Sequence, residues 1–343
     1  MLRRLWKALR FGFWWLRPRY YALYGYIARI AHRRSYITDN FAGADPCRGS
    51  DSAAVFCHYD PQGVVHDYVR HYLERLREAN LRIYLVSNAP RLGPEAIAAL
   101  TPLCAKIIHR RNFGHDFGAY KEGILSIPDR RQLARLLVTN DSVYGPLQPL
   151  QDILSAMSPD EGDVWGMTDS YEIRYHLQSY FLLFHRAALQ HESFERFWKE
   201  LPFVSAKWWV IFYGEVALTQ RLARAGLRIK SMLPYEAVVG TFRAMLRGSR
   251  ALTRDDVRPD HRAYLQRLLD TTDAGIPLNP THFFWEVLIG RMHSPFIKRD
   301  LLEANPAQIL GVSEWRELVK AHSTYDIDLI VRHQKLRLKN RSI

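Results

Sequence analysis

A chain of 343 residues with 48% hydrophobic and 13% aromatic content has enough apolar mass for a packed core, and its 24% charged fraction is ordinary for a globular protein. That composition excludes intrinsic disorder, a collagen-like fibre and a disulfide scaffold. The net charge of +13 is concentrated: residues 1–34 hold nine Arg and Lys and no acid, leaving 39 basic against 35 acidic residues for the rest. A body so nearly balanced argues against nucleic acid as a partner.

Residues 1–37 read as a basic, aromatic arm. Leu2, Leu5, Trp6, Leu9, Phe13 and Leu16 recur at helical spacing between the arginines. The longest charge-free run, residues 20–28, is nine long, whereas a spanning helix needs about twenty. The pattern therefore predicts a helix lying on an anionic membrane surface, with Trp and Leu at the headgroup boundary and arginines on lipid phosphates. Residues 38–52, rich in Gly, Pro, Asp and Ser, read as a linker. Cys47, Cys57 and Cys104 have no metal or disulfide spacing and are expected to be small buried residues in a reducing, cytoplasmic compartment.

The next domain, 53–235, begins with a short apolar run at 53–59, expected to be a strand. A helical pattern follows at 64–79 and a β-rich run at 81–87. A helix at 94–100, strand at 105–109, helix at 117–125 and strand at 135–139 continue the alternation. Strand, helix, strand implies crossovers and a parallel sheet. Further strands are expected at 163–168, 179–184 and 227–231, with a helix at 214–225 closed by Gly226. Residues 236–343 are expected to be mainly helical, ending in a basic tail.

Familiar phosphate-loop, dinucleotide, serine-hydrolase and zincin motifs are absent from the sequence. In an open parallel sheet, ligands bind beyond the carboxyl ends of the strands, and every such end here is polar: His58-Tyr59-Asp60, Ser87-Asn88, the run from Arg110 to Asp116, and Asn140-Asp141-Ser142. Tyr59 can stack a base, Asn112 and Asp116 can hold its polar edge or a ribose, and Arg110 and Arg111 can face phosphates. His58, Asn88, Asn140 and Ser142 complete this polar edge. Gly114 and Gly118 allow close backbone approach. Turn and helix-cap roles account for the same residue types equally well.

The segments NFGHDFGAYKEG (112–123), TNDSVYGPL (139–147), VWGMT with HLQSYFLLF (164–168, 176–184), GEVALTQRLARAG (214–226) and PFIKRDLLEANP (295–306) resemble, in order, the signatures of the rhamnan synthesis protein F family over residues 52–306. The resemblance implies a GT-A-like, Rossmann-type, mostly parallel α/β sheet flanked by helices. It further implies transfer of a sugar, with rhamnose from dTDP-rhamnose the first expectation, from a nucleotide-sugar donor to a lipid-linked glycan acceptor with inversion. The setting implied is O-antigen or other cell-surface polysaccharide synthesis at the cytoplasmic face of the bacterial inner membrane. Another donor sugar, or a non-catalytic scaffold in an assembly complex, are the alternatives.

In such transferases an Asp-x-Asp motif holds a divalent metal against the donor diphosphate. The corresponding Asn140-Asp141-Ser142 offers one carboxylate, so Asp141 is the expected ligand of a weakly held Mg²⁺ or Mn²⁺. The same resemblance makes Glu215, ahead of its Leu-x-x-Arg-Leu helix, the expected catalytic base. Asp169 and His176 are second choices, and Gln178 lies in the segment expected to meet the transferred sugar. Lys298 and Arg299 are expected to meet a phosphate of donor or acceptor, or simply to face solvent.

Overall fold

The computed structural model describes residues 23, 25, 27–28, 34–248 and 259–341. The membrane-surface arm expected at 1–37 therefore lies almost wholly outside the described residues. Among those described, no helix is long and apolar enough to cross a membrane.

The strands, in chain order, are β1 (Ile37–Ala42), β2 (Ser52–His58), β3 (Arg82–Ser87), β4 (Lys106–Arg110), β5 (Arg135–Asn140), β6 (Val143–Tyr144), β7 (Val164–Ser170), β8 (His176–Leu177), β9 (Phe181–His185), β10 (Ile229–Leu233) and β11 (Ile297–Lys298). They form one central sheet of order β1-β4-β3-β2-β5-β9-β7-β10, with β8 paired to β7, and a small β6–β11 ribbon. Strands β4, β3, β2 and β5 are mutually parallel, as are β7 and β10. Strands β1, β8 and β9 run antiparallel to their neighbours. The molecule is thus an α/β protein with helices packed on its central sheet and a helical C-terminal part.

Period-two alternation explains why the central strands read as continuous apolar runs. On β2, Ala54 and Phe56 join a core with α1 (Asp67–Glu78) and α2 (Pro94–Leu100), while Ala53, Val55 and Cys57 join a second core with α3 (His115–Leu125). Both faces are buried, so both sets must be apolar. The amphipathic α1 buries Tyr68, Val69, Tyr72, Leu73 and Leu76 on one stripe. All three cysteines are buried and free.

Three elements differ from expectation. A third of the expected linker, residues 38–42, lies in β1, an edge strand pairing Asp39 with His109 and Phe41 with Ile107. Its sequence ITDNFA hides this because an edge strand needs only one partner, and Thr38, Asp39 and Asn40 are exposed. Strand β10 starts two residues later than the apolar run at 227 suggests, because the Asp163 carboxylate captures the Arg228 N–H at 2.8 Å and its guanidinium, holding that residue in the approach. Finally, the helix expected at 214–225 begins earlier, as Lys207–Trp209 followed by a π-helical turn, Val210–Val216, then Ala217–Arg224.

Candidate active site at the ends of the central strands

From β2 the chain steps to β3 and β4 on one side, then returns to β5 on the other. That reversal of strand order opens a crevice at the carboxyl ends of β2 and β5, where open α/β sheets place their ligands. The backbones there are cross-tied: the Asp141 N–H donates to Cys57 O at 3.1 Å, and the Tyr59 N–H donates to Asp141 Oδ2 at 3.1 Å. Asn140 Nδ2 donates to Asp116 Oδ2 at 2.9 Å, and the Cys57 thiol lies 3.6 Å from Asp116 Oδ1. Burial, then the nearby Asp141 charge, raises the Asp116 carboxyl above its ordinary value. Asn140 Oδ1 accepts both the Ser142 N–H at 3.1 Å and its hydroxyl at 2.6 Å.

The far wall comes from the π-helical turn. Such turns recur at functional sites because they shift a side chain off the regular helical register. Here the turn delivers Glu215, whose Oε1 accepts the Ser179 N–H at 2.6 Å. The third contribution comes from distant sequence. The β6–β11 ladder pairs Lys298 with Val143, and the Arg299 N–H donates to Ser142 O at 3.0 Å. Lys298 Nζ donates to Ser142 Oγ at 3.4 Å and sits 4.2 Å from the Tyr180 ring centroid. Arg299 Nη1 donates to Tyr68 OH at 2.6 Å and lies 3.4 Å from Asp141 Oδ2. Burial pulls the Lys298 ammonium below its usual range, against the opposing pull of Asp300, Glu215 and Asp116.

Asp116, Asn140, Asp141, Ser142, Glu215, Lys298 and Arg299 therefore converge. Several other expected site residues are bonded within the fold. His58 is fully buried, with its ring bonded to Ser87 Oγ at 3.1 Å and Val64 O at 3.2 Å, and burial lowers its pKa. It braces the wall and has no free nitrogen for a ligand. Arg110 is also consumed: its guanidinium bonds the Glu122 carboxylate, Asn88 Oδ1 at 2.5 Å and Phe113 O at 2.7 Å. A Cβ on Gly118 would run into the Phe113 carbonyl oxygen and sit 2.9 Å from Arg110 Nη2, which is why that position is glycine. Asn88 is spent on the same arginine and on His115 O.

Arg111 and Asn112 are exposed, and Gly114, at φ +88°, precedes α3 in the left-handed conformation that glycine adopts freely. Asp169 Oδ1 accepts the Tyr235 N–H at 2.6 Å at the start of the helix Tyr235–Gly248, and burial raises its carboxyl. That is a helix-end contact. His176 gives Nδ1 to Arg174 O at 2.7 Å. Gln178 bridges Thr168 Oγ1 at 2.6 Å and Asn279 Oδ1 at 3.3 Å. Tyr68 reads in the sequence as one more core position of α1, and Ser179, inside the segment 176–184, acts through its backbone N–H.

A hard divalent cation wants about six oxygen ligands, and the donor set here does not fit one. Asp141 is shared by an N–H and a guanidinium, Asn140 Oδ1 already accepts twice, and a cation of the protein already faces Ser142. Among the described residues no group of three or more His, Cys, Asp or Glu could hold a metal. A separate groove of about 860 Å³ is lined by Asp260, His261, Glu286, Glu314 and Glu317. Its acidity suits a diphosphate poorly; burial, then Glu314, lifts Glu286 to about 7.

Fold and site together define an α/β protein with acidic, amide and cationic groups at its switch point. Residues 83–244 match the model of the rhamnan synthesis protein F family. The matched stretch is narrower than the 52–306 over which the signatures were read. The chain is 30% identical over 222 residues, 62% of its length, to the uncharacterized protein y4gN of Sinorhizobium fredii, of which the match spans 57%. It is 28% identical over 258 residues to the virulence protein VirA of Vibrio anguillarum, covering 74% of this chain and 80% of the other. Among solved structures, the apo-form glycosyltransferase GlyE of Streptococcus pneumoniae aligns at 12% identity and a TM-score of 0.38, over 84% of this chain and 64% of that one.

Proposed function

We propose that the chain is a glycosyltransferase of bacterial surface-polysaccharide synthesis, taking a sugar from a nucleoside diphosphate to an acceptor hydroxyl. The observation that carries this is the meeting of Asp141, Glu215, Lys298 and Arg299 at the switch-point crevice, one carboxylate free to accept a proton and two cations suited to phosphate. Tyr59, partly exposed at the mouth, stacks the base. Asp116 and Asn140 hold the ribose edge.

Glu215 removes the acceptor proton as the acceptor oxygen attacks the anomeric carbon, and the ring carbon inverts. Ser179 fixes the carboxylate through its N–H. The family description, rhamnan synthesis, supports rhamnose as the sugar, and dTDP-rhamnose is the donor of this reading. The nine cationic residues of the aromatic arm favour an anionic membrane surface on the cytoplasmic side, where a lipid-linked acceptor is confined.

A panel of dTDP-, UDP- and GDP-sugars, assayed for transfer, tests the donor. Glu215→Gln keeps an acceptor for the Ser179 N–H and removes the base. It should lower kcat by about 10²–10⁴-fold with dTDP binding unchanged by calorimetry. Full transfer by that variant would refute the assignment.

A further inference from the structure

We propose that Lys298 and Arg299 take the place of a divalent cation at the leaving diphosphate, so that transfer by this chain needs no metal ion. This rests on the transferase reading above. As the bond from the acceptor oxygen to the anomeric carbon forms, the bond from that carbon to the β-phosphate oxygen breaks. The bonding pair leaves with the diphosphate, the acceptor proton goes to Glu215, and one further negative charge appears on the leaving group. Something positive must already be in place where that charge develops.

The strand ends supply it from the protein itself. The β6–β11 ladder fixes Lys298 opposite Val143, one residue beyond Ser142, and the Arg299 N–H to Ser142 O bond continues the ribbon to the next residue. Both cations are thereby tied to the backbone that follows Asp141, the position from which an Asp-x-Asp motif would reach a metal. Arg299 is oriented by Tyr68 OH and Asp141 Oδ2. Its planar fork suits two phosphate oxygens. Lys298 stands on the Tyr180 ring with a hydroxyl as its hydrogen-bond partner. An ammonium half-removed from water and neutralised only at a distance gains most from an anion arriving beside it.

Asp141 then has a different purpose from the one its position suggests. With its Oδ2 on the Tyr59 N–H and beside Arg299, it positions a cation of the protein. The arrangement suits a neutral residue at 142: an aspartate in place of Ser142 would lie against Lys298 and cancel the charge the site needs.

The test uses the full chain, stripped with EDTA, with dTDP and UDP as calorimetric probes and sugar transfer as the second readout. The expected result is nucleoside diphosphate binding in EDTA within about two-fold of that in Mg²⁺ or Mn²⁺, and metal-insensitive transfer. Lys298→Met, which keeps the apolar stem over Tyr180, should weaken dTDP binding at least ten-fold and lower kcat by about 10²–10³-fold. Lys298→Arg should restore much of both; circular dichroism and unchanged unfolding would show the variants folded. Binding lost in EDTA and restored by Mn²⁺ would overturn the inference alone. No nucleoside diphosphate binding under either condition would overturn the inference and the transferase reading together.

Discussion

Two adjacent pairs of basic residues flank the crevice, Arg110-Arg111 at the end of β4 and Lys298-Arg299 at the end of β11, and they have opposite fates. Arg110 is enclosed with Glu122, Asn88 and Phe113 O, and Glu122 also ties down Ser35 and Tyr36. Arg111 is exposed. The second pair meets the Asp141 and Glu303 carboxylates, both on Arg299, together with a ring and two hydroxyls, and among the described residues no carboxylate lies within ion-pair distance of Lys298. Motif inspection treats the pairs alike. What separates them is whether the fold supplies a full set of acceptors: a satisfied cation is a strut, and an incompletely neutralised one is a binding group.

Arg110→Ala is the strongest way to break this comparison. It leaves Glu122 buried without its main cation, and losing one partner of such a pair costs about 3–5 kcal/mol. The Ser35 hydroxyl and Tyr36 N–H remain on Glu122, which places the cost toward the lower end. Urea unfolding should show a clear fall in midpoint, whereas Lys298→Met should leave the midpoint nearly where it was and act on kcat. An Arg110→Ala protein as stable as the parent would mean that the first pair is no strut.

How far these fates could be read in advance follows from sequence distance. The apolar runs of β2, β3 and β5 are legible because both sheet faces are buried, and the polar residues at their ends become a site once the topology is assumed. Glu122 lies on α3, twelve residues beyond Arg110, and nothing local announces that the two meet. Lys298 reaches Ser142 across 156 residues through a two-residue ladder. No periodicity encodes a ribbon that short. Strand β1 escaped for a related reason: polar residues on a one-sided edge have no apolar alternation to display. Glu215 is a candidate through its helix, but the π-helical turn that aims it has no sequence signature of its own.

The second pair also has a titratable brace, which sharpens the contrast. Glu303 lies 3.9 Å from Arg299 and accepts the Tyr144 hydroxyl at 3.0 Å, and Tyr144 OH lies 2.8 Å from His333 Nδ1 on the helix Asp328–Arg341. Burial, then the charges of His66, Arg299 and Arg337, hold His333 down to about 3, with Asp60 opposing. An unfolded histidine titrates near 6.5. Between those values the unfolded chain binds the proton and the folded one does not, so stability falls as pH drops from about 6.5 toward 3. Unfolding free energy measured across that window should decline in the parent and decline less steeply in His333→Gln, where His58, His71 and His185, also held down by burial, still contribute. An identical slope in both would take His333 out of the brace.

Arg111→Ala should have the smallest effect and is the cleanest control. The side chain is exposed, and its ordered contact in the fold runs through the backbone, from its N–H to Tyr36 O at 3.0 Å, which alanine preserves. Surface substitutions of this kind fall within about ±0.5 kcal/mol, and dTDP binding should stay within about two-fold of the parent, roughly 0.4 kcal/mol. A ten-fold loss of dTDP affinity would bring Arg111 back as a phosphate contact. The donor would then be held from the β4 side as well as from β11, and the division between strut and binding group would fail at the residue next to the strut.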